Sequence, residues 1–88
     1  MTTQQKSQQD ENKILKLLSE YLGIERKYLL PQADLESDLN LQPLDLVDLI
    51  SHFNQGFQID IDPEEASAWK SVADILHTVS EKIMMSTL

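Results

Sequence analysis

LNLQPLDLVDLI, residues 39–50, decides how this chain is read. A proline suits a helix only in its first turn, where the missing N–H has no intrahelical partner and the fixed φ favours a start. Beyond Pro43, Leu46, Leu49, Ile50, Phe53 and Phe57 recur at i, i+3, i+4, i+7 and i+11. That is the stripe of one helical face. The spacing predicts a helix from Gln42 or Pro43, with Gly56 marking its end. Leu44 and Val47 lie off the stripe, and one of them is expected to face solvent. Asp45 and Asp48, three apart, share a face.

Towards the N-terminus, Ile14, Leu17, Leu18, Tyr21 and Leu22 form a second stripe of the same period. Asp10 or a neighbour can cap it, and Gly23 suits the left-handed residue that closes it. Residues 1–9 are polar and are expected to be a disordered tail ahead of one domain, residues 10–86. Residues 24–41 hold no period, and Pro31, Asp34, Ser37, Asp38 and Asn40 mark them as a long structured loop. Ile24, Leu29, Leu30, Leu35, Leu39 and Leu41 would pin that loop to the core. Loops of this length are uncommon in small domains and often functional.

Towards the C-terminus, Asp62 is a natural N-cap, Pro63 a first helical residue, and Glu64 and Glu65 suit the positive helix end. This short helix reaches about Ala68. A last helix opens at Ser71, with Asp74 three residues on, and its stripe is Val72, Ile75, Leu76, Val79 and Ile83. No stretch alternates as a strand does. The fold class is all-α: a four-helix bundle of three main helices and one short one.

Eighty-eight residues bound the chain to one domain with a modest core. There is no cysteine, which excludes disulfides and thiolate metal sites. No apolar run approaches the ~20 residues of a membrane span. The polar N-terminus does not look like a signal peptide. A cytoplasmic monomer that binds no membrane is expected.

The net charge of −8 is unevenly placed. Residues 1–27 carry +1, residues 28–69 carry nine acids and no Lys or Arg, and residues 70–88 balance. A phosphate backbone is repelled by such a chain, which argues against nucleic acid. A basic partner surface is attracted to the middle segment, although acids there also serve solubility.

Other constellations are weaker. Asp60-Ile61-Asp62-Pro63-Glu64 lacks the frame and glycine of a calcium loop and reads as capping. His52 reads as a lone exposed residue, and His77 as partly buried packing beside the last stripe. Trp69 reads as a core plug, with gating of an inner cavity as the alternative. Met84 and Met85 read as adaptable hydrophobes at a fraying end. No nucleophile–base set, phosphate loop or His-based metal motif is present, so no catalytic residue and no metal is expected, and the chain is not read as an enzyme.

YLGIERKYLLPQADLESDLNLQPLDLVDLISHFNQGFQIDIDPEEA, residues 21–66, lies without a gap along a known pattern. Its marks are Leu22-Gly23-Ile24, Ala33 with Leu35, Asp38-Leu39, Leu44-Asp45, Val47-Asp48-Leu49, Ile59-Asp60-Ile61 and Glu64-Glu65-Ala66. In their order and spacing the chain resembles the acyl carrier protein family, peptidyl carrier domains included, over roughly residues 12–83. The resemblance implies the acyl-carrier-type bundle with its long loop between helices 1 and 2. It also implies a phosphopantetheine arm on the serine of an Asp-Ser-Leu triplet at the start of the second helix. Here the triplet is Gln42-Pro43-Leu44, and proline has no hydroxyl to esterify.

By the same resemblance Asp45, Val47 and Asp48 take the places that meet basic docking patches on biosynthetic enzymes. Ser51 stands where the family has a bulky apolar residue, and Asn54 and Gln55 replace acids. For Asp45 and Asp48 the alternative is a plain interaction with the helix dipole. Two functions follow as expectations. One is a non-carrying module that docks on fatty-acid, polyketide or peptide biosynthetic enzymes and needs no cofactor. The other is a working carrier modified atypically, with Ser37 the first candidate.

Overall fold

Residues 2–86 are described by the computed structural model, with side chains from Gln9 onward. The order is α1 (Thr2–Leu22), a 3-10 turn (Arg26–Tyr28), α2 (Pro43–Phe57), α3 (Pro63–Ser67) and α4 (Val72–Ser86). Among the described residues there is no strand, only an isolated bridge between Asp34 and Ser71. The all-α bundle expected from the periodicity is the fold adopted. No helix is long and apolar enough to cross a membrane among these residues.

The stripes read from the sequence meet in one core. Ile14 and Leu18 of α1, Leu49 and Phe53 of α2, Ile61, and Val72, Ile75 and Val79 of α4 are fully buried. Each such side chain contributes about 1.5–3 kcal/mol by leaving water. The long loop is held as expected, through buried Leu29, Ala33, Leu35, Leu39 and Leu41. Leu30 is the exception, at 50% exposure. Backbone bonds tie the loop to the start of α4: Leu35 N–H to the Lys70 carbonyl, Val72 N–H to Ala33 and Ala73 N–H to Pro31. Thus a segment with little regular structure satisfies its polar backbone by pairing with a distant segment.

The structure differs from expectation in three places, two helix ends and the loop. First, α1 begins at Thr2, not at Asp10, so the segment expected as a tail continues the helix. Residues 2–9 contain no Gly or Pro to stop a helix, and several are good helix formers. Their lack of an apolar stripe hides them from a periodicity argument. Second, Gly56 lies inside α2, and Gln58 takes the left-handed closing position at φ 55°. A Cβ on Gly56 would come within 3.1 Å of Leu17 Cδ1, so this glycine supplies room for α1 rather than backbone freedom. Third, the loop contains the 3-10 turn, which was not apparent from its pattern. Gly23 does close α1 at φ 68°, where its N–H and that of Ile24 reach the Ser19 carbonyl.

α3 is built as expected. Asp62 Oδ1 accepts from Glu64 N–H at 3.0 Å and Glu65 Oε1 accepts from Asp62 N–H at 3.2 Å. The Asp60–Glu64 run is therefore a helix start. Lys82 Nζ of α4 lies 2.9 Å from Glu65 Oε1 and ties α3 down. Asp74 Oδ2 accepts from the N–H groups of Lys70 and Ser71 at 2.8 and 3.1 Å, which caps α4. His77 is a correction. It is exposed, not packed, with Nε2 2.9 Å from Glu81 Oε2 one turn on.

Candidate functional site: the start of helix α2

Leu39 and Leu41 are buried and fix the approach to α2. Between and after them the chain turns outward. Asn40 has φ 57°, Gln42 is extended at φ −95° and ψ 163°, and Gln42, Pro43 and Leu44 are exposed. Pro43 is the first residue of α2. The Gln42 N–H donates to Asp45 Oδ2 at 2.9 Å, the return half of a capping box. Asp45 thus has a structural task at the helix start and is only partly exposed.

Asp48 is held differently. The Tyr21 hydroxyl of α1 donates to Asp48 Oδ2 at 3.0 Å and also lies 3.2 Å from the Asp45 carbonyl oxygen. His52 Nε2 is 3.7 Å from the same carboxylate oxygen, and the His52 and Tyr21 rings are 5.1 Å apart between centroids. His52 is exposed as read, yet it belongs to this small cluster and is not isolated. Burial pushes the Tyr21 phenol up to about 12, and the Asp48 carboxylate adds to the effect by favouring the neutral donor. The sequence reading assigned Tyr21 only to the apolar stripe. Its polar partners lie 24 and 27 residues away, beyond any local pattern.

Leu44 and Val47 both face solvent, at 83% and 61% exposure, where one had been expected to do so. Ser51 is exposed as well. Leu44, Val47, Asp48 and Ser51 follow helical spacing, so α2 presents an apolar centre edged by a carboxylate. These two exposed aliphatic side chains stand within two turns of a helix whose other face packs on the core through Leu49, Ile50 and Phe53.

Beside this face lies a cleft of about 750 Å³ between the loop, α2, α3 and Trp69. Leu35, Leu41, Leu46, Ile50, Ala66 and Trp69 supply apolar walls, and Pro43 and Val47 stand in its lining. Trp69 is buried, and its Nε1–H donates to Thr78 Oγ1 at 3.0 Å, which fixes the indole against α4. It is the core plug that was expected, and it also lines the cleft.

Ser37 lines the same cleft and is exposed. Its N–H donates to Asp34 Oδ1 at 2.8 Å, and the Glu36 N–H to the same oxygen at 2.9 Å. These bonds, the Ser37 one first, hold the Asp34 carboxyl below the usual range. Among the described residues no three His, Asp or Glu side chains are grouped to hold a metal ion.

Residues 12–79 match the family model described as "Phosphopantetheine attachment site". The acyl carrier protein of Thermosynechococcus vestitus (strain NIES-2133 / IAM M-273 / BP-1) is 31% identical over 71 residues, covering 81% of this chain and 88% of the relative. The acyl carrier protein of Syntrophobacter fumaroxidans (strain DSM 10017 / MPOB) is 30% identical over 63 residues, covering 72% of this chain and 78% of the relative. With the bundle, the long pinned loop and the matched span in hand, this chain belongs to the acyl carrier protein family.

Proposed function

We propose that this protein is a non-carrying member of its family, a module that docks on fatty-acid, polyketide or peptide biosynthetic enzymes. The observation that carries the reading is Pro43. It occupies the first residue of α2, exposed, where the family pattern has its phosphopantetheine serine. Neither Gln42, Pro43 nor Leu44 has a hydroxyl, so no phosphodiester can form there. The phosphopantetheine group that the family implies does not fit these side chains, and no step of the proposed function passes through it.

What remains is a docking surface. Leu44 and Val47 offer apolar contact, Asp48 offers a carboxylate aimed by Tyr21, and Ser51 extends the face. Asp45 contributes by shaping the helix start and by its charge. The region from residue 28 to 69 has no Lys or Arg, so the partner patch is basic. The protein acts by occupying such patches as a cytoplasmic monomer, not by catalysis.

The second reading is a working carrier modified atypically. One observation favours it: the Ser37 hydroxyl group belongs to a residue lining the same cleft as Pro43. A transferase assay separates the two. Wild type, Pro43→Ser, Gln42→Asp/Pro43→Ser and Ser37→Ala are treated with coenzyme A and a broad phosphopantetheinyl transferase. The docking reading predicts an unlabelled wild type, poor labelling of Pro43→Ser and full labelling of the double variant. Labelling of wild type that disappears in Ser37→Ala would establish the carrier reading instead.

A further inference from the structure

The few cations of this acidic chain are gathered towards its N-terminal part, and three of them are not paired with its acids. Five of the seven Lys and Arg lie in residues 1–27. Lys13 and Lys16 of α1 and Arg26 of the 3-10 turn line one depression of about 380 Å³, with Asn12, Ser19 and Glu20. Among the described residues none of these three cations is in an ion pair, whereas Lys27 pairs with Glu25 and Lys82 with Glu65. Glu20 is the one acid of the lining, so the depression has a charge of +2 in a chain of −8.

The donors are partly fixed. Arg26 Nη2 donates to Asn12 Oδ1, which holds the guanidinium against α1 and leaves the Asn12 amide N–H₂ as a further donor. The Ser19 hydroxyl donates to the Ile24 carbonyl oxygen and keeps the turn against the end of α1. Lys13, Lys16, Arg26 and the Asn12 amide bring donors to this lining, against the one Glu20 carboxylate. Their complement is a compact, multiply charged group that only accepts hydrogen bonds. A single carboxylate carries one charge and leaves the rest unmatched. A phosphate or diphosphate carries two or more, and its oxygens suit the planar fork of an arginine.

We propose that this depression binds the phosphate or diphosphate group of a small soluble molecule. The site is built by α1 and the turn after it, and it stands whatever α2 docks on. The probes are inorganic phosphate and pyrophosphate, titrated into the full chain at constant ionic strength while backbone amide shifts are followed by NMR. The expected result is saturable shifts between residues 12 and 26, stronger with pyrophosphate. Lys16→Glu/Arg26→Glu should weaken binding by roughly tenfold or more. The milder Lys16→Gln/Arg26→Gln should weaken it less, and circular dichroism should show an unchanged helix content in both. Absence of saturation, or equal binding by the charge variants, overturns the proposal. Flotation with vesicles of phosphatidylglycerol and phosphatidylcholine forms the second arm, with no flotation expected. Flotation that depends on Lys16 and Arg26, without pyrophosphate saturation, overturns a soluble ligand in favour of a membrane surface.

Discussion

Removing one oxygen atom, in Tyr21→Phe, should loosen α1 from the start of α2. The hydroxyl lies 3.0 Å from Asp48 Oδ2 and 3.2 Å from the Asp45 carbonyl oxygen, and its one proton goes chiefly to the nearer, charged acceptor. A hydrogen bond to a charged group is worth about 1.5–3 kcal/mol. The Asp48 side chain is 64% exposed, however, so water replaces much of what is lost. The loss should fall to about 0.5–1.5 kcal/mol, the range of an ordinary hydrogen bond. In a domain of this size that lowers Tm by several degrees, at roughly 4–8 °C per kcal/mol.

The assay is a double-mutant cycle of Tyr21→Phe and Asp48→Asn by urea unfolding, read from the fluorescence of the single tryptophan, Trp69. A coupling of about 0.5–1 kcal/mol is expected. The titration gives an independent reading, taken in a Tyr28→Phe background so that Tyr21 is the one tyrosine left. Its folded value, about 12, exceeds the ordinary phenol value of 10.0. The neutral phenol is therefore the stabilising form. Its contribution is complete below pH 10.0 and disappears as pH rises through about 12. Asp48→Asn should lower the ionisation only part of the way, because burial is the larger cause and remains. A coupling of zero, with an unchanged ionisation in Asp48→Asn, would refute the link between α1 and α2.

Further outcomes concern the core, the caps and acid. Phe53→Ala, at a fully buried position, should cost about 3–5 kcal/mol in urea unfolding, whereas Leu44→Ser and Val47→Ser should stay within about 0.5 kcal/mol and affect docking alone. Gly23→Ala meets nothing within 4 Å, so its cost should be that of a left-handed alanine, about 1–2 kcal/mol, and Gln58→Gly should gain a smaller amount. Asp74 is held below the ordinary carboxyl value of 3.8, first by the Lys70 N–H, so its contribution is present above pH 3.8 and lost as pH falls through the folded value. The stability gap between wild type and Asp74→Asn, measured by thermal unfolding across pH, should therefore narrow below about pH 3.8.

The fold was legible wherever one face of a helix is packed, because burial imposes a period on the residues. Leu49, Ile50 and Phe53 declare α2 in this way, as Val72, Ile75 and Val79 declare α4. Residues 2–9 obey no such demand, so the true start of α1 left no mark. Gly56 was misread because glycine serves two ends, a left-handed backbone or room for a neighbour. Only the 3.1 Å approach of Leu17 tells them apart. His77 sits next to the apolar stripe in sequence but turns to Glu81 and solvent. At the candidate site, Pro43, Asp45, Val47, Asp48 and Ser51 were named from the sequence. Tyr21 as the residue that aims Asp48 was not, since the contact is tertiary. The cleft likewise depends on α3 and Trp69 closing against the loop.

The central claim is that the family's covalent arm is absent here. The intact mass of the protein purified from its own cells tests it most directly, set beside the recombinant chain incubated with transferase and coenzyme A. The account predicts that neither sample carries the added mass of one phosphopantetheine. A gain of one phosphopantetheine in either sample would contradict it, and peptide mapping would then begin at Ser37.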